Sequence, residues 1–411
     1  MGLKDINQIP KENPGLFTML GNVMGGDGHP RSSSMHLGQK GFSSKLYLPV
    51  LIPCIALVVY GLIVIWSASL SIPKASFLKQ FIGVGIGLAG AGFIWHYDYR
   101  NLDNATIMLL CIDVFLMISP KLPGIGYHAK GIDGWVQIPG IGFRFQPAEP
   151  AKIVTIILMA GLAAQYNGKI ESFRDYVKLC AVLCVPFIAI LAQPDLGTGL
   201  IVLISGATII IVCGAKKAWV LPTIALIVLG STIIITMSLT PGMPQILKPY
   251  QLNRLLVFAD PSLDPSGSGF NLQQAQIAVG SGGIVGKGIG NATQAGHGFL
   301  PEAHTDFVFA LLSEEFGFLG ATVLLFLFGW LIFATLGLAL KVESPYAKLI
   351  LVGIVAMWSF QVLENIGMCI GLMPITGIPL PFISYGSSSM VTQLAAVGLV
   401  QSIWYHRKKS A

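Results

Sequence analysis

The longest polar stretch of the chain ends in Phe299-Leu300-Pro301-Glu302-Ala303-His304-Thr305-Asp306-Phe307 and runs straight into an apolar helix. A carboxylate at such a junction is partly withdrawn from water, which strengthens it as a proton acceptor and suits it to general-base chemistry near neutral pH. His304 and Asp306 are two residues apart, so they need not lie side by side. Three further segments combine polar side chains with helix-breaking residues. In Arg144-Phe145-Gln146-Pro147-Ala148-Glu149-Pro150-Ala151-Lys152, the prolines fit a helix start and place Glu149 and Lys152 on one face. Glu149 and Lys152 either close the helix end as an ion pair, or Lys152 and Arg144 form an exposed pair of cations beside a helix N-terminus, suited to phosphate oxygens. In Gln193-Pro194-Asp195-Leu196-Gly197-Thr198, Asp195 is placed to cap the following helix. The prolines of Pro374-Ile375-Thr376-Gly377-Ile378-Pro379-Leu380-Pro381 forbid a regular helix, and Ser384-Tyr385-Gly386 after them offers a wall for a polar substrate.

What positions these residues is membrane. The chain is 54% hydrophobic and 11% charged, against roughly a quarter charged in a soluble domain. Apolar runs near membrane length fall at about 47–67, 81–97, 105–119, 150–166, 177–192, 196–213, 219–237, 307–340, 349–373 and 390–404, which predicts an all-α, polytopic protein of about ten spans. Lys169, Arg174, Lys178, Lys216, Lys217, Lys341, Lys348 and Arg407-Lys408-Lys409 lie on one side, so both termini are expected in the cytoplasm. The polar connections, including a large loop at 239–305 with apolar positions suited to surface helices, then face outward. The expected organisation is a flexible cytoplasmic tail over 1–44, a transmembrane domain over 45–405 and a basic cytoplasmic tail over 406–411.

Several chemistries drop out. There is no phosphate-binding G-x-x-x-x-G-K-[ST], no His-Glu-x-x-His and no Asp-x-Asp pair for a metal-bound nucleotide sugar. Gly85-Ile86-Gly87-Leu88-Ala89-Gly90 matches a dinucleotide pattern, yet it sits inside an apolar run with no strand before it, so it reads as a close helix contact. The six cysteines lie in or at the ends of apolar runs and read as small hydrophobes. The net charge of +6 is spread along the chain and gives no nucleic-acid footprint. A transferase working on the outer face would meet no cytoplasmic nucleotide and would need an activated, membrane-borne donor such as a lipid-linked diphosphate.

The phrases quoted above, with Ser313-Glu314-Glu315-Phe316-Gly317 and Gly377-Ile378-Pro379-Leu380-Pro381-Phe382-Ile383-Ser384-Tyr385-Gly386, resemble the SEDS family of cell-wall polymerases in order from the first span to the last. Ile378-Pro379 is similar to the elongation branch, where the division branch carries Leu-Thr. Gly134, before Trp135, stands where the family often has arginine, so no contact assigned to that arginine carries over. The resemblance implies a peptidoglycan glycosyltransferase acting on lipid II during cell elongation, with Asp306 as the catalytic base. It implies substrate contacts from Arg144, Glu149, Lys152, Trp135, Gln193, Asp195, His304, Ser384 and Tyr385. Glu302, Glu314 and Glu315 are weaker base candidates, the last two serving packing or inter-helix bonds. A divalent cation such as Mg could share the diphosphate charge, although the sequence shows no metal cage. The implied partner is a class B penicillin-binding protein transpeptidase in the bacterial cytoplasmic membrane. A lipid II flippase and the division-type polymerase are the rival readings.

Overall fold

The computed structural model describes residues 45–123, 126–129, 132–137, 144–240 and 242–407. The predicted tail over 1–44, and all of the C-terminal tail beyond residue 407, lie outside the described residues. Each predicted apolar run coincides with a helix: α1 Leu48–Ser71, α2 Phe77–His96, α3 Thr106–Ile118, α4 Ala148–Ala164, α5 Phe173–Leu191, α6 Leu196–Val212 and α7 Lys217–Leu239. The large loop holds α8 Pro249–Ala259 and α9 Ser268–Ser281, and the chain closes with α10 Val308–Lys341, α11 Pro345–Cys369 and α12 Ser387–His406. By length and composition α1, α2, α7, α10 and α11 can cross a membrane. Helix is forced on such runs because lipid offers no partner to a backbone N–H or C=O. Some starts are capped by short polar side chains: Ser76 accepts from Lys79 N, Ser172 from Arg174 N and Ser344 from Ala347 N.

The eighth predicted run is not one straight span. Its helix, α10, has 34 residues, which at about 1.5 Å each would reach about 51 Å, well past the roughly 30 Å hydrocarbon layer. The helix breaks at Gly317, with φ 64° and ψ −162°. A Cβ there would stand 2.3 Å from Gly286 N, so only glycine admits the loop strand that presses in. The backbone groups around the break pair with that strand: Phe318 N donates to Gly283 O at 2.9 Å, and Lys287 N donates to Glu314 O at 3.0 Å. Glu314 and Glu315, in the first segment of α10, reinforce the junction. Glu314 Oε1 accepts from Lys287 Nζ at 2.6 Å and Thr293 N at 2.9 Å, and Glu315 Oε1 accepts from Ser67 Oγ at 2.5 Å. These are inter-element anchors.

The connection before α4 folds into a three-stranded antiparallel sheet that composition did not predict: β1 Gly126–Ala129, β2 Ile132–Gln137 and β3 Arg144–Phe145. Within the glycine pattern of α2, Gly87 makes the close contact, a Cβ there falling 2.6 Å from Leu394 of α12, whereas Gly85 and Gly90 have nothing within 4 Å. The close-contact reading therefore holds for one glycine of the three.

Candidate active site

Asp306 sits half-buried immediately before α10, where the helix dipole favours a negative charge. Its backbone N–H donates to Glu302 O at 3.1 Å, and its carbonyl accepts from Asn365 Nδ2 at 2.7 Å. The same Nδ2 donates to Ile378 O at 2.8 Å, so one amide of α11 ties the Asp306 loop to the proline-broken segment. Gly377, with φ +78°, brings that segment close: a Cβ there would lie 3.3 Å from Asp306 Oδ2. The carboxylate thus rests against bare backbone.

His304, Ser384 and Tyr385 join this cluster. Tyr385 N donates to His304 O at 2.9 Å, and the two rings lie 5.4 Å apart. Ser384 Oγ donates to Thr305 O at 2.7 Å and accepts from Leu380 N at 2.8 Å, so this buried hydroxyl is a strut between the two segments. Burial pushes the Tyr385 phenol above its ordinary range, which keeps it a neutral donor. Gln80 of α2 reaches the same knot, donating to Ser384 O at 3.2 Å and accepting from Gly386 N at 3.0 Å.

The α4 and α6 starts form the neighbouring wall. Gln146 Nε2 donates to Asp195 Oδ2 at 3.2 Å, and Gln146 N donates to Ser388 Oγ at 3.2 Å, four residues from Ser384. Asp195 caps α6, accepting from Thr198 N at 3.0 Å and Thr198 Oγ1 at 2.8 Å. Gln193 Nε2 donates to Met117 O. A Cβ on Gly197 would stand 3.3 Å from Thr376 O, and Arg254 of α8 donates to that carbonyl at 3.2 Å. Tyr250 of α8 donates to Pro194 O at 3.1 Å, so the large loop is pinned across this end.

One expectation is corrected here. Lys152 is not an exposed cation: it is 1% exposed and pairs with Glu149 at 2.9 Å, because both side chains rise from one face of α4 into the helix bundle. Arg144 alone of the two is exposed, lying on β3 with its guanidinium 4.0 Å from the centre of the Tyr127 ring. Sequence reasoning also missed Asn365 and Gln80, each an ordinary polar residue in or beside an apolar run, and Arg254 in the large loop. The only signal for the first two was polarity at such a run, which is costly unless used; Arg254 carried none. Among the described residues no group of three or more His, Cys, Asp or Glu side chains stands together to hold a metal. No step is assigned to a divalent cation.

The segments brought together at this end are those that carry the resemblance. The family model for the FtsW, RodA and SpoVE proteins, described as cell cycle protein, matches residues 48–409. The chain belongs to this family. Stage V sporulation protein E of Bacillus subtilis (strain 168) is 35% identical, over 87% of this chain and 96% of its own. The peptidoglycan glycosyltransferase MrdB of Escherichia coli (strain K12) is 33% identical, over 90% and 97%. A solved structure concerned with the coordination of polymerization and crosslinking by a peptidoglycan synthase complex aligns with TM-score 0.72 and 29% identity, over 88% of this chain and 98% of that one. The protein is therefore an all-α, polytopic membrane protein of the SEDS family, and the FtsW, RodA and SpoVE branches all fall within the match.

Proposed function

We propose that the chain is a peptidoglycan glycosyltransferase that polymerises lipid II at the outer face of the cytoplasmic membrane during cell elongation. The observation that carries this reading is the convergence of Asp306, Gly377 and the Ser384-Tyr385 strut at the end of the bundle where the long polar connections meet. Family membership and the named activity of MrdB support the reaction class. Asp306 takes the proton of the acceptor's 4-hydroxyl as that oxygen attacks the anomeric carbon of the lipid-linked donor. The glycosidic bond forms, the bond to the diphosphate breaks, and undecaprenyl diphosphate leaves.

In this reading both termini are cytoplasmic, ten spans cross the membrane, and the loop at 239–305 covers the site from outside. Residues 45–405 form the catalytic domain between two cytoplasmic tails. The exposed Arg144 is the cation that meets the substrate's anionic groups, while the Glu149–Lys152 pair fixes the start of α4 beneath it. Trp135 lines the approach to the site. Gln193 and Asp195 hold the α6 wall, and His304 and Tyr385 line the acceptor side. The solved synthase complex supports a cross-linking transpeptidase of the class B penicillin-binding type as partner. Ile378-Pro379 supports the elongation branch.

The test is purified protein with labelled lipid II beside Asp306→Asn. Long glycan strands from the parent and none from the variant are expected. Equal product from both would sink the assignment of Asp306, and lipid II crossing a vesicle bilayer without polymerising would replace the polymerase with a flippase.

A further inference from the structure

At the opposite end of α12 from Ser388, three helices frame a groove that the reaction does not use. It lies between α1, α2 and α12, and runs from Leu46, Trp95 and Gln401 at one end to Leu62, Val84 and Leu394 at the other, with a volume of about 370 Å³. Along α2, the stretch from Val84 to Trp95 rises about 16 Å at about 1.5 Å per residue. That is the depth of one leaflet of a hydrocarbon layer roughly 30 Å thick. The lining side chains are apolar except for Cys54, Trp95 and Gln401. Gln401 spends both ends of its amide on Tyr47, accepting from its N at 2.7 Å and donating to its O at 3.1 Å. Ile55, Val59 and Leu88 on the walls remain exposed, so the groove opens sideways to lipid.

The end at Leu46 and Gln401 has a different chemistry. Lys45 precedes Leu46 and is exposed. Lys341 Nζ lies 5.8 Å from the centre of the Tyr47 ring, that ring lies 4.7 Å from Trp404, and the Arg407 guanidinium stacks on Trp404. None of these three cations belongs to an ion pair among the described residues. Of the carboxylates closest in sequence, Asp98 is taken by Arg100 and Glu343 is exposed two residues past Lys341. Trp95 Nε1 and Trp404 Nε1, at the same end, are shielded from solvent and donate to no described acceptor. An apolar slot one leaflet deep, ending in cations and indole donors, matches an acyl chain that carries ester carbonyls and a phosphate. The excess of positive charge at its mouth selects an anionic headgroup over a zwitterionic one.

We propose that this groove binds one anionic glycerophospholipid from the leaflet at its mouth, cytoplasmic in the orientation proposed above. One acyl chain fills the groove, the Trp95 indole meets an ester carbonyl, and Lys45, Lys341 and Arg407 hold the phosphate. The site is separate from Asp306, and the binding itself does not depend on the polymerase reading.

The test is native mass spectrometry of the full-length protein, titrated in detergent with phosphatidylglycerol or phosphatidylethanolamine, counting the lipids each chain retains. The parent is expected to keep one phosphatidylglycerol at concentrations where it keeps no phosphatidylethanolamine. A Cβ on Gly92 would meet nothing within 4 Å although Gly92 lines the groove, so Gly92→Leu fills the slot without a clash and favours the helix. Its affinity for phosphatidylglycerol falls about ten-fold, the equivalent of about two methylenes withdrawn from the groove, while its melting temperature without lipid does not fall. Gly92→Ala, one methyl larger than the parent, keeps the lipid. Lys45→Gln, Lys341→Gln and Arg407→Gln each lower the preference for phosphatidylglycerol about five-fold, the contribution of one basic residue beside an anionic headgroup. Equal retention of the two lipids by the parent, parental affinity in Gly92→Leu, or an undiminished preference in all three glutamine variants would overturn the site. Lipid II polymerisation by the parent is measured in parallel. A parent that polymerises but retains no lipid overturns the site alone, and one that retains lipid without polymerising overturns the polymerase reading alone.

Discussion

Asn365 makes the sharpest prediction about the candidate base. It is 0% exposed, and its Nδ2 spends both hydrogens, on Asp306 O at 2.7 Å and Ile378 O at 2.8 Å. Asn365→Ala strips one donor from each of two carbonyls, that of Ile378 buried and that of Asp306 half-buried, and each loss costs about 1–3 kcal/mol. Part of that relaxes, because Ser384 Oγ to Thr305 O and Tyr385 N to His304 O still tie the two segments together. About 3 kcal/mol is a reasonable net cost to the productive geometry, which corresponds to about a hundred-fold in rate at 1.36 kcal/mol per decade. A displacement of about 1 Å at a reacting group produces a loss of the same size. The assay is lipid II polymerisation at varied substrate, with the loss expected in kcat and little change in KM, since Asn365 contacts backbone and not substrate. Hydrogen exchange of the 300–307 amides should rise in parallel. Asn365→Asp keeps the shape and removes the donors, so it should behave like the alanine variant. A folded Asn365→Asp with kcat within about two-fold of the parent would refute the reasoning, because a rate change that small is worth only about 0.4 kcal/mol.

Two further outcomes follow from the same structure. Lys152→Met leaves Glu149 as an unpaired carboxylate among helices and should cost about 3–5 kcal/mol, while the double change Glu149→Gln with Lys152→Met recovers most of it; thermal melts in detergent read both, and an unchanged melting point in the single variant refutes the buried pair. Asp264 is held below the usual carboxylate range, first by the Asn253 side chain and then by Ser268 N–H. A depressed folded pKa gives stability that is present above the ordinary value and lost as pH falls through the lower one. Amides of α8 and α9 should therefore exchange faster below about pH 4, and Asp264→Asn should remove that pH dependence.

What was legible in the sequence is what lipid dictates. Long apolar runs leave a backbone no choice but helix, so the helices could be placed from composition alone. Asp195 marked a helix start because a short polar side chain before an apolar run has few other uses. The break in α10 was not legible, since Gly317 sits in a continuous apolar run and its conformation is set by residues 283–288, far away in sequence. Lys152 was misread for a related reason. Spacing gave its pairing with Glu149, but which face of α4 points inward depends on α3, α6, α11 and α12 packing around it. The sheet was missed because its register rests on short strands in a connection read only as polar. Asp306 was singled out by resemblance; its surroundings, a bare Gly377 beside it and Asn365 behind it, needed three segments distant in sequence.

The hydrogen bonds that hold this site are also those that make its backbone tolerable at a membrane edge. Two irregular segments, 300–307 and 374–386, lie against the bundle where a free carbonyl is expensive. Their carbonyls at Thr305, Asp306, Thr376, Ile378 and Ser384 are each met by a side chain or hydroxyl: Ser384, Asn365, Arg254, Asn365 again and Gln80. Satisfying the backbone and fixing the carboxylate are thus one arrangement, and stability and turnover should fall together along this set. Arg254 stands apart by position, since it reaches Thr376 O from α8 in the large loop. Anything that moves that loop moves Thr376 and its neighbour Gly377, which touches the space of Asp306.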